Sequence, residues 1–233
     1  MSKRSHDKRQ ATCYMCERPA TSKEHVPPDC FFPSQRDLPD MPNLRRNLIT
    51  VPSCDEHNLK KSGDDEYLLA ILLAHHENNP IAERMFNAKV INGALERRPH
   101  LARTHFRGLS PVLLGDSLGG RFFVDQPRFN TAMERIARGI YFYHYKKHNP
   151  LPCKILSPAL TSVNSPRSSE VNAALQQWRR YSQPALAGVR RYGDNPSVFY
   201  YCALQREDAR EAAIHLVFYE GVTVEVLFSN AID

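Results

Sequence analysis

Cys13-Tyr14-Met15-Cys16, Lys23-Glu24-His25 and Cys54-Asp55-Glu56-His57-Asn58-Leu59-Lys60-Lys61-Ser62 occur in that order within the first 66 residues. The outer two stretches each open with metal-ligating side chains two residues apart, Cys13 with Cys16 and Cys54 with His57, and 37 residues separate Cys16 from Cys54. Four soft or borderline ligands in paired spacing suit tetrahedral Zn2+, with Cys13 and Cys54 expected as thiolates. The intervening loop is longer than that of a zinc finger and has room for a strand, a turn and a second strand. An incidental, redox-active CxxC followed by an unrelated histidine is the competing reading.

The chain around this core divides by composition. Residues 1–11 are charged and polar and read as a basic arm. Residues 12–79 are expected to form a small module, because its first part is rich in Pro, Asp, Arg and Cys and short of long periodic segments, and such a chain needs a metal to complete its core. Ser62-Gly63-Asp64-Asp65-Glu66 supplies capping residues and first-turn carboxylates ahead of a helix over Tyr67 to His76, closed by Asn78-Asn79-Pro80. Residues 80–233 are expected to form an α+β domain of unassigned role. Within it a helix spans Ile81 to Leu95, and a turn at Gly119-Gly120 leads into a short strand. An amphipathic helix covers Pro127 to Lys147, with Phe129, Met133, Ile136, Ile140 and Phe142 or Tyr143 facing a core. Pro152 to Ser169 reads as a connection and Val171 to Tyr181 as a short helix. Val198 to Leu204, Ile214 to Tyr219 and Val222 to Phe228 form a small antiparallel meander, the last two joined across Glu220-Gly221.

Glu24-His25 places a carboxylate beside an imidazole. Cutting a phosphodiester needs a base to deprotonate water and a divalent ion to neutralise the phosphate and the leaving oxygen, and this pair supplies both kinds of group. Adjacent side chains of a strand point to opposite faces, so a kink near Pro27-Pro28 is required for both to serve one phosphate. Asn58 stands at the start of a short helix anchored by the second knuckle. Its amide oxygen and the Glu24 carboxylate are hard ligands that favour Mg2+ or Mn2+.

Residues 13–66 resemble the HNH endonucleases, whose zinc-stapled branch carries paired Cys knuckles at the two ends of a ββα-metal motif. The resemblance implies an N-terminal ββα-metal module with a structural zinc; together with the helices and the small C-terminal antiparallel sheet read from the later residues, it gives an α+β chain. It implies Glu24 as ligand of the catalytic divalent ion, His25 as general base, and Asn58 as the position that binds the metal or orients the base. Cys13, Cys16, Cys54 and His57 match the zinc ligands, His57 replacing the more usual fourth Cys. The final His of the family triad has no counterpart; Ser62, Asp64 and Asp65 stand there, and Asp65 or a water would complete the metal shell. Glu24 also stands where many relatives have Asp or His.

The resulting expectation is a metal-dependent endonuclease acting on DNA. The alternatives are a zinc-dependent nucleic-acid-binding module without activity and a structural zinc protein within a larger assembly. A formal charge of +6 favours a polyanionic partner. Lys60, Lys61, Arg45 and Arg46 are candidate phosphate contacts. Arg135, Arg138, Lys146 and Lys147 are read as a solvated helix face, Tyr141, Tyr143 and Tyr145 as packing residues, and His75-His76 as helix-terminal histidines. Cys30, Cys153 and Cys202 are read as reduced thiols. The basic N-terminus lacks an apolar segment behind it, and no apolar run reaches bilayer length, so a cytoplasmic location without membrane contact is expected. A homodimer or a partner subunit would be needed for double-strand cutting, and phage defence is one setting that fits.

Overall fold

The computed structural model describes residues 11–58, 62–95, 103–114, 116–163, 165–205 and 210–230. Strands β1 (Ser22–His25) and β2 (Thr50–Ser53) pair antiparallel, with Glu24 opposite Val51 and His25 opposite Thr50. Helix α1 (Asp55–Asn58) follows β2 directly, and α2 (Ser62–Leu73) comes next. α2 begins earlier than its apolar residues indicate, since the carboxylates at Asp64 and Asp65 already occupy its first turn.

Tyr67 to Leu73 are all buried. A helix covered on every side carries no amphipathic stripe, and α2 is accordingly the central post of the molecule. Asn79 caps α3 (Pro80–Met85) by accepting from the Ala82 amide at 3.3 Å, and Phe86–Leu95 continue as a π-helix where one uninterrupted α-helix was expected.

β3 (Ser110–Leu114) and β4 (Ser117–Arg121) form a separate hairpin, so Gly119 and Gly120 lie inside a strand rather than in the turn before one. Helix α4 (Gln126–Tyr145) is capped by Asp125, which accepts from the Arg128 amide at 3.2 Å, and it ends at Lys146 in the left-handed region. Its buried face comprises Phe129, Met133, Ile136 and Ile140 as the periodicity predicts, together with Tyr141; Phe142 is half-buried and Tyr143 exposed.

The C-terminal sheet has five antiparallel strands in the order β5-β9-β8-β7-β6. These are β5 (Cys153–Leu156), β6 (Tyr192–Asn195), β7 (Phe199–Gln205), β8 (Ala212–Phe218) and β9 (Val222–Phe228). The expected three-strand meander is its centre. β5 falls in the segment read as a connection, and helix α5 (Ser168–Leu186) is longer than expected. At the β8–β9 turn, a side chain on Gly221 would meet the Glu77 carbonyl carbon at 2.6 Å, which requires glycine there.

The apolar core is continuous from Cys13 to Phe228, so residues 12–79 and 80–233 share it. Phe31 packs edge-on to Phe218 of β8 at 6.0 Å, and Tyr141 of α4 packs on Phe228 of β9 at 5.7 Å. Polar ties reinforce the junction: Tyr219 donates to the Phe31 carbonyl at 2.6 Å, and Asn195 of β6 donates to that of Arg46 at 2.9 Å. No helix among the described residues is long and apolar enough to cross a membrane.

Candidate functional site

The first knuckle is a tight loop closed by the Thr12–Pro19 bridge and by the Cys13 amide donating to the Arg18 carbonyl at 2.8 Å. The Tyr14 amide donates to the Pro52 carbonyl at 2.8 Å, which seats this loop on β2. Cys54 leaves β2 and opens α1, whose His57 and Asn58 amides both donate to the Cys54 carbonyl at 3.0 Å. That turn brings His57 back over Cys54.

The ligand atoms of Cys13, Cys16, Cys54 and His57 lie within 4.8 Å of one another. His57 Nδ1 is 3.5 Å from Cys13 Sγ, 3.6 Å from Cys16 Sγ and 3.2 Å from Cys54 Sγ, and Cys16 and Cys54 Sγ are 3.9 Å apart. Zinc bonds of about 2.3 Å to sulfur and about 2.0 Å to nitrogen, at tetrahedral angles, require edges of about 3.5 Å between S and N and about 3.8 Å between sulfurs. The observed edges match, so the four side chains can hold a structural zinc. Burial opposes a thiolate at Cys54, yet the His57 and Glu56 amides and the neighbouring thiols outweigh it and hold the thiol below its ordinary range. All six cysteines are free, Cys30, Cys153 and Cys202 apart from this cluster.

A small cleft lies beside the cluster, between the end of β1, the start of α2 and the middle of α4. Glu24, His25, Asp64, Asp65 and Arg135 supply its polar lining, and Val26, Pro28, Leu68, Ala132 and Ile136 the rest. No protein-family model, curated protein or solved structure matches this chain.

Side chains alternate along β1 as expected, with Ser22 and Glu24 half-buried and Lys23 and His25 exposed. His25 is the last residue of the strand, which lets it border the same cleft as Glu24. Glu24 Oε1 accepts from the Tyr14 hydroxyl at 3.2 Å. Burial, with the Glu24 charge beside it, pushes that phenol far above its usual range, so it donates as a neutral group. A residue inside the zinc knuckle thus fixes the carboxylate in the cleft.

Asp64 Oδ1 accepts from Arg128 Nε at 2.8 Å and its Oδ2 from an Arg135 guanidinium nitrogen at 3.3 Å. Arg128 also donates to the Gly63 carbonyl at 2.6 Å and covers the Tyr67 ring at 4.2 Å. Asp64 thereby locks α2 to α4; Asp65 and Glu24 also line the cleft.

Asn58 does not line the cleft; its side-chain amide donates to Ser22 Oγ at 2.8 Å. Ser22 is two residues before Glu24, about 7 Å along the strand on the same face. Among the described residues no second group of three or more His, Cys, Asp or Glu ligand atoms is gathered, and no catalytic metal site is evident. Lys60 and Lys61 lie outside the described residues. Arg45 is engaged internally, donating to the Phe32 carbonyl at 3.0 Å and lying 3.7 Å from Asp29, whereas Arg46 is exposed.

Sequence reasoning missed Tyr14 and Arg135. Tyr14 carries no signal, being an ordinary spacer between two cysteines. Arg135 carries one: it is seven residues from Arg128 and adjacent on the helix to Ala132 and Gly139, a pair of arginines along a small-residue stripe that solvent alone does not explain. Arg138, by contrast, is structural, donating to Glu134 and to the Asn149 and Leu151 carbonyls.

Proposed function

We propose that the chain is a metal-dependent endonuclease of the HNH type, acting on DNA, in which a structural zinc at Cys13, Cys16, Cys54 and His57 fixes the hairpin that carries the reactive groups. The observation that carries this reading is the convergence, in one cleft next to a Cys3His cluster, of a histidine, three carboxylates and an arginine. His25, exposed at the strand end, would take the proton of the attacking water. Arg135 would meet the scissile phosphate, its charge only partly spent on Asp64, which Arg128 also neutralises. Tyr14 holds Glu24 in place, and Asn58 braces β1 through Ser22.

Glu24 and Asp65 are hard oxygen donors suited to Mg2+ or Mn2+, ions that take one or two carboxylates and fill the remaining positions with water and phosphate oxygens. Such an ion would supply charge neutralisation at the phosphate and the departing 3′-oxygen. The products would be a 5′-phosphate and a 3′-hydroxyl. A second reading, a zinc-dependent module that binds nucleic acid without cutting, draws on the side chain of Asn58, which is turned to Ser22 and does not border the cleft.

The test is an end-labelled duplex incubated with zinc-loaded protein, with and without added Mg2+ or Mn2+. Omitting the added ion, rather than chelating, leaves the thiolate-bound zinc in place. Cleavage that depends on the added ion and yields ligatable 5′-phosphate ends supports the nuclease; salt-sensitive binding with no cleavage in either ion selects the binding module.

A further inference from the structure

At the far end of α4 the chain builds a second basic surface. Lys146 lies 4.4 Å from the centre of the Tyr143 ring, Lys147 lies 5.8 Å from that of Tyr145, and Arg190 lies 5.0 Å from that of Tyr192. His144 joins the last two of these pairs, its ring 4.7 Å from both Tyr145 and Tyr192 and its Nδ1 3.1 Å from the Tyr201 hydroxyl. Lys146, Lys147 and Arg190 are exposed, and among the described residues no carboxylate forms an ion pair with any of them. Burial first, and then the charges of Lys146 and Arg190, lower the pKa of His144, so these two cations converge on one ring although they come from different elements.

Tyr145 and Tyr192 are not open stacking platforms: Tyr145 packs against Tyr141 and His144, and Tyr192 against Tyr201 and His144, whereas Tyr143 is exposed with Lys146 beside it. Cation–π contact holds the ammonium and guanidinium groups in fixed positions, and so reduces the entropy lost when they meet an anion. Pre-set cations, two of them beside rings that are already packed, suit phosphates rather than bases.

The position of this surface relates it to the cleft. Arg135, Gly139 and Tyr143 follow at four-residue steps along one stripe of α4. Arg135 borders the cleft, and Gly139 lies against Val26, the residue after His25. From Arg135 to Lys146 the helix advances about 16 Å at 1.5 Å per residue. That distance corresponds to about five base-pair steps of a duplex at 3.4 Å each.

We propose that Lys146, Lys147 and Arg190 form a sequence-independent docking surface for the phosphate backbone of duplex DNA, about five base pairs from the bond presented to the cleft. The inference rests on the reading of the cleft as a DNA-cutting site and adds how the substrate is held.

The test is fluorescence anisotropy of two labelled duplexes of unrelated sequence, between 50 and 300 mM KCl, with zinc-loaded protein and no added Mg2+ or Mn2+. The variants are Lys146→Ala/Lys147→Ala/Arg190→Ala and the charge-retaining Lys146→Arg/Lys147→Arg/Arg190→Lys. Removing three phosphate contacts should flatten the dependence of log K on log salt by about 2.7, equally for both sequences. The charge-retaining variant should keep the wild-type slope, which separates a lost contact from a lost fold. An unchanged slope in the alanine variant overturns the surface even if the wild type cuts. A loss confined to one sequence, or tighter binding of a single strand than of the duplex, also overturns it, in favour of base reading. A flattened slope in a protein whose wild type never cuts upholds the surface and removes the nuclease reading instead.

Discussion

Gly139 is the point where α4 touches the strand end that carries His25, and adding a single methyl there tests how the cleft is held. A Cβ at this position would lie 2.8 Å from both methyl carbons of Val26 and 3.3 Å from its Cβ. Carbon atoms prefer about 3.5–4.0 Å, so two contacts are too close by roughly an ångström. Val26 has little room to yield: it is buried, its β-branched side chain is restricted at χ1, and its amide donates to the Ile49 carbonyl at 3.0 Å. Overpacking of this kind costs about 1–3 kcal/mol, against a gain of about 1 kcal/mol from replacing glycine within a helix. Gly139→Ala should therefore destabilise by about 1 kcal/mol. Val26→Ala should cost about 2 kcal/mol for the lost methyls. The double variant removes the clash, so its loss should fall short of the sum of the two by at least about 1 kcal/mol. Urea denaturation of the four zinc-saturated proteins, followed by circular dichroism, supplies the cycle. Additivity within about 0.5 kcal/mol, or a stabilising Gly139→Ala, would refute the packing argument.

Three further outcomes are expected. Cys54→Ala should lower zinc content from one ion per chain to near zero and depress the thermal midpoint by about 10 °C or more, at about 2–4 °C per kcal/mol for a chain of this size; a variant with wild-type midpoint and zinc content would sink the metal assignment. Arg135→Ala should slow cleavage by about 100-fold while costing no more than about 1 kcal/mol of stability, because Arg128 still holds Asp64 at 2.8 Å; wild-type rates would remove Arg135 from the site. Burial lowers the pKa of His75, His105 and His144 in the folded chain. The unfolded chain, with ordinary histidines near 6.5, then binds more protons, so stability should be complete above about pH 6.5 and drain away as the pH falls below it. Thermal midpoints measured between pH 7.5 and 5 check the sign, and a flat or rising profile on acidification would contradict it.

What could be read from the sequence follows how local each cause is. The Cys3His cluster was legible because two residues of spacing fix each knuckle. α4 was legible because its apolar residues recur at helical spacing. α2 was harder to delimit, since residues buried on every side lack a stripe, and its first turn is set by Asp64 pairing with two arginines of α4. β5 is a four-residue edge strand whose pairing partner, β9, lies about seventy residues downstream, and nothing within Cys153 to Leu156 announces it. The cleft shows the same divide. Glu24 and His25 could be named from their order and neighbours, whereas Arg135, marked in the sequence by no more than its small-residue stripe, reaches the cleft through the packing of α4 on α2. Asn58 stands where the resemblance expects a residue that binds the metal or orients the base, yet its amide lies on Ser22, an arrangement that depends on how α1 closes over β1.

The measurement that bears most directly on the account is cleavage of supercoiled plasmid by wild type and His25→Ala, both at equal zinc content, with Mg2+ or Mn2+ added or omitted. The account predicts conversion to nicked or linear DNA only with the added ion and only by wild type, while the variant retains its fold and its zinc. Equal cleavage by the two proteins, or none by folded, zinc-loaded wild type in either ion, would contradict it.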